Sequence, residues 1–392
     1  MPDFHAAAQA LAEELVTRRR DFHRHPELGF QEVRTAGIVA KELTELGLEV
    51  QTGVGKTGVV GLLEGDQPGP TVLLRFDMDA LPIVEANTTD YISTNAGVMH
   101  ACGHDGHTAV GLGVAKMLAP YRDALQGRLK FVFQPAEEGL GGARAMIADG
   151  VLANPEPDYA LGLHVWNDKP VGWVAATPGA CMAAADAFEC TITGAGGHGA
   201  SPYQTRDPIV AAAQIIAALQ TIPARNVDAR ESTVVSVTTV HAGDAFNIIP
   251  GETKLTGTVR TYAPAIRELT QRRMHEIVTG IAAAMNCEAT LTFRDSTEAV
   301  VNDAEVAAVI RDVAQGMPGV AEVVDDERTM GAEDYGEFMS NVPGCFFFVG
   351  SNNAAEDKDF PHHHPRFDFD ERALVLGAAL MATSAARYVM PD

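Results

Sequence analysis

Between Met99 and Ala109 the chain reads Met-His-Ala-Cys-Gly-His-Asp-Gly-His-Thr-Ala, placing His100, Cys102, His104 and His107 within eight positions before the apolar run 110–118. A thiolate and an imidazole two residues apart can reach one cation together, because Gly103 between them lets the backbone fold until Cys102 and His104 converge. The structural alternative is a buried cysteine beside surface histidines. Ligand-type residues elsewhere in the chain weigh against it.

Arg75-Phe76-Asp77-Met78-Asp79-Ala80-Leu81-Pro82 ends an apolar run with two carboxylates at i and i+2, which share a face of a strand. Either Asp77 or Asp79 can bind a metal or hold a ligand histidine, unless both merely shape the turn before Pro82. Glu137 and Glu138 follow the apolar segment Phe131-Val132-Phe133. Adjacent residues project differently, so one glutamate can coordinate while its neighbour acts on water as a general base, the division a hydrolytic site needs. His164 stands among Leu161, Leu163, Val165 and Trp166, where an uncompensated imidazole is costly. His362-His363-His364-Pro365 supplies further imidazoles in a loop late in the chain.

The elements that position these residues alternate as in an α/β layer structure. Helices are expected at 6–20, 35–46 (stopped by Gly47), after Asp105 and at 142–148, and strands at 58–63, 71–76, 129–134 and 159–166. The implied scaffold is a mostly parallel sheet with helices on both faces. From about Ala184 to Phe293 the texture changes: strands at 187–193, 233–241, 254–261 and 289–293 accompany helices at 208–221 and 265–285, an inserted α+β domain with an antiparallel sheet. Helices at 303–315, 333–340 and 371–388, with a strand at 345–350, return to the first domain. The expected division is therefore 1–183 with 295–392 as the larger domain and 184–294 as the smaller one.

A chain of 392 residues, 46% hydrophobic, is long enough to bury a sizeable core, and a net charge of −23 argues against nucleic acid and anionic membrane as partners. No apolar run approaches the roughly 20 residues that cross a bilayer, and the amphipathic start does not read as a signal peptide. Five cysteines, at 102, 181, 190, 287 and 345, are odd in number and scattered, which suits a reducing cytoplasm better than a disulfide framework.

The segments 75–82, 99–109, 134–139, 162–166, 196–202, 331–338 and 363–371 together resemble, in order and spacing, the metal-dependent aminoacylase family that includes hippurate hydrolase and the plant auxin–amino acid conjugate hydrolases, and glutamate carboxypeptidase more distantly. The resemblance runs through essentially the whole chain. It implies a dinuclear metal site in the larger domain and a smaller lid or dimerisation domain. By motif, it makes Cys102, His104, Glu138, His164 and His363 the metal ligands, Glu137 the general base and Asp79 the carboxylate that orients a ligand. His363 is selected from its triplet because the family's ligand stands two residues before the proline. Glu333 is expected near the site, without an assigned role.

The activity so implied is hydrolysis of an N-acyl amino acid to a carboxylic acid and a free amino acid. Two divalent cations would polarise the acyl carbonyl and bring the pKa of a water from ~15.7 toward ~7. The thiolate ligand tilts the choice toward Zn, with Mn, Co or Ni as alternatives. Asn247 and Arg260 resemble the positions that hold the substrate carboxylate, and Arg suits that task because its planar fork can engage both oxygens. His198, set among four glycines in 194–199, corresponds to a histidine that crosses a homodimer formed through the smaller domains and stabilises the oxyanion. Three other readings compete: a dipeptidase or carboxypeptidase of the same clan, a thiol hydrolase with Cys102 as nucleophile and His104 or His107 as base, and a non-catalytic acyl-amino-acid binding protein. The thiol reading leaves Glu137, Glu138, His164 and His363 without a role.

Overall fold

The computed structural model describes residues 1–390; Pro391 and Asp392, the end of the expected 295–392 segment, and the side chain of Asp295 lie outside the described residues. The described chain divides into two compact units, one of Met1–Cys181, Val300–Arg328 and Asp334 onward, the other of Met182–Ala299 with Thr329–Glu333. The fold is α/β: a mostly parallel mixed sheet with helices, plus an inserted α+β unit with an antiparallel sheet.

In the first unit the strands Gln126–Gln134, Gln67–Asp77, Tyr159–Pro170 and Gly344–Asn352 lie side by side and parallel. Their centres, such as Val72–Leu74 and Phe346–Val349, are continuous apolar runs, as strands covered on both faces require. Antiparallel strands Gly58–Glu64 and Glu49–Val54 extend one edge, and Trp173–Ala175 and Glu322–Val324 the other. The helix His104–Leu118 packs on Gln67–Asp77 and between the helices Ala12–Arg24 and Arg372–Val389. Burial of Leu15, Val110, Val114, Leu118, Leu374, Met381 and Phe76 in one cluster fixes that layer. Because Asp79 and the Glu137–Glu138 pair follow buried strands, His164 lies within one and Cys102 and His104 open the buried helix, the core holds most of the site's backbone in place.

The second unit pairs Thr233–Ala242, Glu252–Thr261, Ala184–Thr193 and Glu288–Thr297, in that order across an antiparallel sheet. The helices Pro208–Leu219 and Pro264–Ala284 bury Ile215, Leu219, Met274 and Val278 against Phe188, Ile192, Leu255 and Val259. Pro208 stands at the first turn and the Asp207 carboxylate accepts the N–H groups of Ile209 and Val210, so this helix start was written in the sequence.

Two expectations differ, and three edge strands carry no expectation. The helix expected at 6–20 is two helices, Phe4–Ala10 and Ala12–Arg24, opened at Leu11 (φ −95°, ψ 3°). The helix expected at 333–340 is a single tight turn, Asp334–Glu337: the Asp334 carboxylate accepts Gln134 Nε2 at 2.6 Å and the Ala143 N–H at 2.9 Å, and these bonds anchor the chain there. The edge strands Glu49–Val54, Trp173–Ala175 and Glu322–Val324 carry too short or too polar a pattern to stand out.

Candidate metal centre

Asp79 follows the end of strand Gln67–Asp77, and its carbonyl and Oδ1 face His104 Nδ1 at 2.9 and 3.2 Å. The Nδ1 proton is thereby committed, and Nε2 is left as a lone-pair donor; it is buried and has no hydrogen-bond partner. Asp79 Oδ2 accepts the Glu138 N–H at 3.0 Å, so this one carboxylate orients both His104 and the glutamate pair.

Gly103 makes the approach of Cys102 and His104 possible. Its φ of +92° is a left-handed conformation, and a Cβ there would lie 2.5 Å from Val165 Cγ2. Cys102 Sγ stands 3.5 Å from His164 Nε2, and His164 Nδ1 donates to the Val165 carbonyl at 2.6 Å, again leaving Nε2 as the ligand atom. His363 donates its backbone N–H to the Ala101 carbonyl at 2.7 Å, and its Nε2 lies 3.3 Å from Glu138 Oε1.

Among the sets whose ligand atoms lie within 4.8 Å of one another, three share members across this site (Cys102, His104 and His164; Cys102, Glu138 and His363; His104, Glu137 and Glu138), and Asp77, His104 and His107 form another beside them. The structure thus brings together Cys102, His104, Glu137, Glu138, His164 and His363, with Asp79 bonded behind them. Burial and the Glu138 charge push the Cys102 thiol up, whereas hydrogen bonds to Cys102 and Glu138 raise His363 to about 10. His104 is also held well above its ordinary range: Asp77 and Cys102 overcome its burial. Positive charge is therefore favoured amid a thiol and carboxylates, and the Nδ1 bonds of His104 and His164 direct both Nε2 atoms inward. That donor set fits divalent cations.

The neighbouring His107 is excluded by its partners. His107 donates from Nδ1 to Asp77 Oδ1 at 2.6 Å and accepts the Val165 N–H at Nε2 at 2.9 Å, so both nitrogens are occupied. It cannot serve Cys102 as a base. Of the late triplet, His362 Nε2 accepts the Asn167 N–H at 3.1 Å, and His364 Nδ1 accepts the Arg366 N–H at 3.0 Å. His363 alone of the three belongs to a candidate ligand set among the described residues.

Asp77, read from sequence as a metal ligand or the holder of a ligand histidine, binds Arg75 Nη1 through Oδ2 at 2.7 Å and His107 through Oδ1, within a candidate ligand set with His104 and His107. The i, i+2 spacing of Arg75 and Asp77 could have signalled that pair. Glu32, Gln134, Asn167 and Asp334 escaped the sequence reading because each acts through a hydrogen bond to a distant segment. Glu333 is buried in the second unit.

His198, Asn247 and Arg260 belong to the second unit. The short strands Gly197–His198 and Ile248–Ile249 pair, with His198 opposite Ile248, and Gly199 donates to the Asn247 carbonyl at 2.8 Å. His198 and Asn247 are thus neighbours. Arg260 lies on Glu252–Thr261, where burial lowers its pKa and its guanidinium donates to Thr258 Oγ1 and the Val259 carbonyl. Among the described residues it pairs with no carboxylate.

The sequence pattern of peptidase family M20/M25/M40 matches residues 73–387. The chain belongs to this family. Among relatives, the Bacillus subtilis (strain 168) protein YhaA, named as an amidohydrolase, is 41% identical over 377 residues, covering 96% of this chain and 95% of that one. The N-acetyl-L-cysteine deacetylase of the same organism is 37% identical over 379 residues, 97% of this chain and 89% of its own. The crystal structure of B. subtilis YxeP, described as a dinuclear metal-binding peptidase of the M20 family, aligns over 97% of this chain and 98% of its own, with a TM-score of 0.84 and 35% identity. As a member of the peptidase family M20/M25/M40, the chain meets the resemblance read from its motifs. Among the described residues, no helix is long and apolar enough to cross a membrane.

Proposed function

We propose that this protein is a metal-dependent hydrolase that cleaves the amide bond of N-acyl amino acids, aromatic or aliphatic in the acyl part, to a carboxylic acid and a free amino acid. The observation that carries the reading is the convergence of Cys102, His104, Glu138, His164 and His363, with the buried Nε2 of His104 lacking a hydrogen-bond partner. A deacetylase of an N-acetyl amino acid among the relatives supports the substrate class.

Two divalent cations held by those five residues, zinc or otherwise manganese, cobalt or nickel, would polarise the acyl carbonyl and acidify water. Glu137 takes a proton from the attacking water and returns it to the leaving nitrogen. Asp79 keeps the Nδ1 proton on His104 and fixes the Glu138 backbone beside it. In the second unit Arg260, without a carboxylate of its own, and Asn247 hold the carboxylate of the substrate. His198 donates to the oxyanion in the site of a partner subunit, the smaller units serving as lid and dimer contact. The outermost strand of the second unit's sheet, with Val240 exposed, and the exposed Phe246 and Ile248 support a homodimer through that unit. The reading includes a cytoplasmic location, supported by five free cysteines, and excludes nucleic acid and membrane as partners.

Removal of metal with a chelator, followed by add-back of each cation, tests this with metal content and hydrolysis of acetyl, benzoyl and long-chain acyl amino acids as readouts. Loss and recovery of hydrolysis are expected. Chelator-resistant activity abolished by thiol alkylation would overturn the reading in favour of a cysteine nucleophile, and cleavage of peptides alone would favour a peptidase.

A further inference from the structure

We propose that His107, which is no ligand itself, is the positioning residue that sets the liganding face of His164; the inference rests on the metal-centre reading above. Pairing of strand Tyr159–Pro170 with Gln67–Asp77 ends at Gly162 opposite Arg75, so the amides beyond that point that face this neighbour, and not Gly344–Asn352 on the other side, need other partners. His107 supplies one. Its Nε2 accepts the Val165 N–H at 2.9 Å, and the carbonyl of the same residue accepts His164 Nδ1–H at 2.6 Å. The Val165 backbone is therefore held at both polar atoms by the two imidazoles. An acceptor Nε2 demands that the His107 proton sit on Nδ1, and there Asp77 Oδ1 receives it at 2.6 Å, while Arg75 Nη1 holds Asp77 Oδ2 at 2.7 Å. One fully buried chain of bonds thus runs from Arg75 through Asp77, His107 and Val165 to His164, whose Nε2 is directed toward Cys102 Sγ at 3.5 Å. The His107 ring also packs edge-on against His164 with centroids 4.6 Å apart. Without the bond from His107, the Val165 peptide loses the constraint that keeps its carbonyl on His164 Nδ1, and the His164 ring is free to turn its lone pair away.

Two substitutions separate the bonds. A glutamine amide reaches the Nε2 position and can still accept from Val165, whereas an asparagine amide reaches the Nδ1 position and can donate only to Asp77. The full chain, stripped of metal, is titrated with Co2+, and the thiolate-to-cobalt absorption and bound cobalt per chain are followed. His107→Asn is expected to weaken cobalt binding by about 10- to 100-fold, the usual effect of losing a partner behind a ligand. His107→Gln is expected to stay close to the wild type. Equal loss in both variants, or wild-type binding by His107→Asn, overturns the proposal. No thiolate absorption in the wild type would instead overturn the metal-centre reading. Nitrogen-15 spectra of the wild-type protein test the same point without a variant: a bare Nε2 on His107 is expected, and a proton on that nitrogen overturns the proposal.

Discussion

The carboxylate of Glu32 accepts the backbone N–H of Ala136 at 2.9 Å and that of Phe30 at 3.0 Å through one oxygen, while the Thr57 hydroxyl donates to the other at 2.5 Å. Ala136, which precedes Glu137, has φ +54°, and Phe30 has φ +62°. Left-handed backbone at non-glycine residues costs roughly 1–3 kcal/mol each and persists only where its surroundings over-determine it. Glu32 is the group that does so here, binding two such residues from segments remote in sequence.

Glu32→Ala leaves the Ala136 N–H without its acceptor, a cost of about 1–3 kcal/mol, and loosens the backbone that carries Glu137. We expect a lower urea midpoint and a lower kcat together. In Glu32→Gln the amide oxygen can still accept both N–H groups and the Thr57 hydroxyl can turn to accept from the amide nitrogen, so both quantities should return toward wild type. Equal damage in the two variants would show that charge, not the bonds, matters.

Glu137→Gln preserves size and the five proposed ligands. Bound metal should remain near normal while kcat drops by ~100-fold or more. Metal analysis beside steady-state kinetics decides it, since turnover retained in a metal-replete variant removes Glu137 as the base.

Much of this site was legible because its residues obey a rule of position. Cys102 and His104 flank a glycine that opens a buried helix, Glu137 and Glu138 follow Phe131–Phe133, and His164 lies within a buried strand. Other features were hidden for physical reasons. Three consecutive histidines are chemically alike, so His363 was picked only by the family's spacing before Pro365, and its left-handed backbone, φ +65°, and its N–H bond to Ala101 are displayed by no single sequence. The role of His107 depends on where strand pairing stops, a property of register. The short turn at Asp334 arose from a competition between helix propensity and distant hydrogen-bond donors that local pattern does not contain.

Arg260→Ala should raise KM for substrates with a free carboxylate and barely change it for the corresponding carboxamides, because a half-buried guanidinium without a carboxylate partner is free to receive one. Comparable KM changes for acid and amide would sink this assignment.

Burial pulls the His23 imidazole down, yet its bonds from Nδ1 to Asp105 at 2.7 Å and from Nε2 to Glu85 at 3.1 Å outweigh that and the nearby Arg19 charge, holding its pKa above 6.5. A histidine raised on folding stabilises fully below its unfolded pKa, and that contribution fades as pH climbs through the folded value. The stability of wild type relative to His23→Gln, measured by urea unfolding at constant metal, should therefore be greatest below pH 6.5 and shrink above it. A difference that grows with pH would contradict the assignment.

His198 lies in a glycine-rich loop of the second unit, exposed, with Nδ1 accepting the Ala200 N–H at 3.1 Å, so its Nε2 carries the proton available for donation. Every proposed metal ligand belongs to the other unit. A donor aimed at developing charge contributes about 100- to 1000-fold to kcat, and His198→Ala should lose that much while keeping its metal. Mixing His198→Ala with Glu137→Gln subunits tests whether the donation crosses a dimer. If it does, each heterodimer has one site with both lesions and one with neither, so activity reappears on mixing. If His198 serves its own subunit, every site keeps one lesion and no activity returns. Demonstrated subunit exchange without recovered activity would rule out the crossed arrangement.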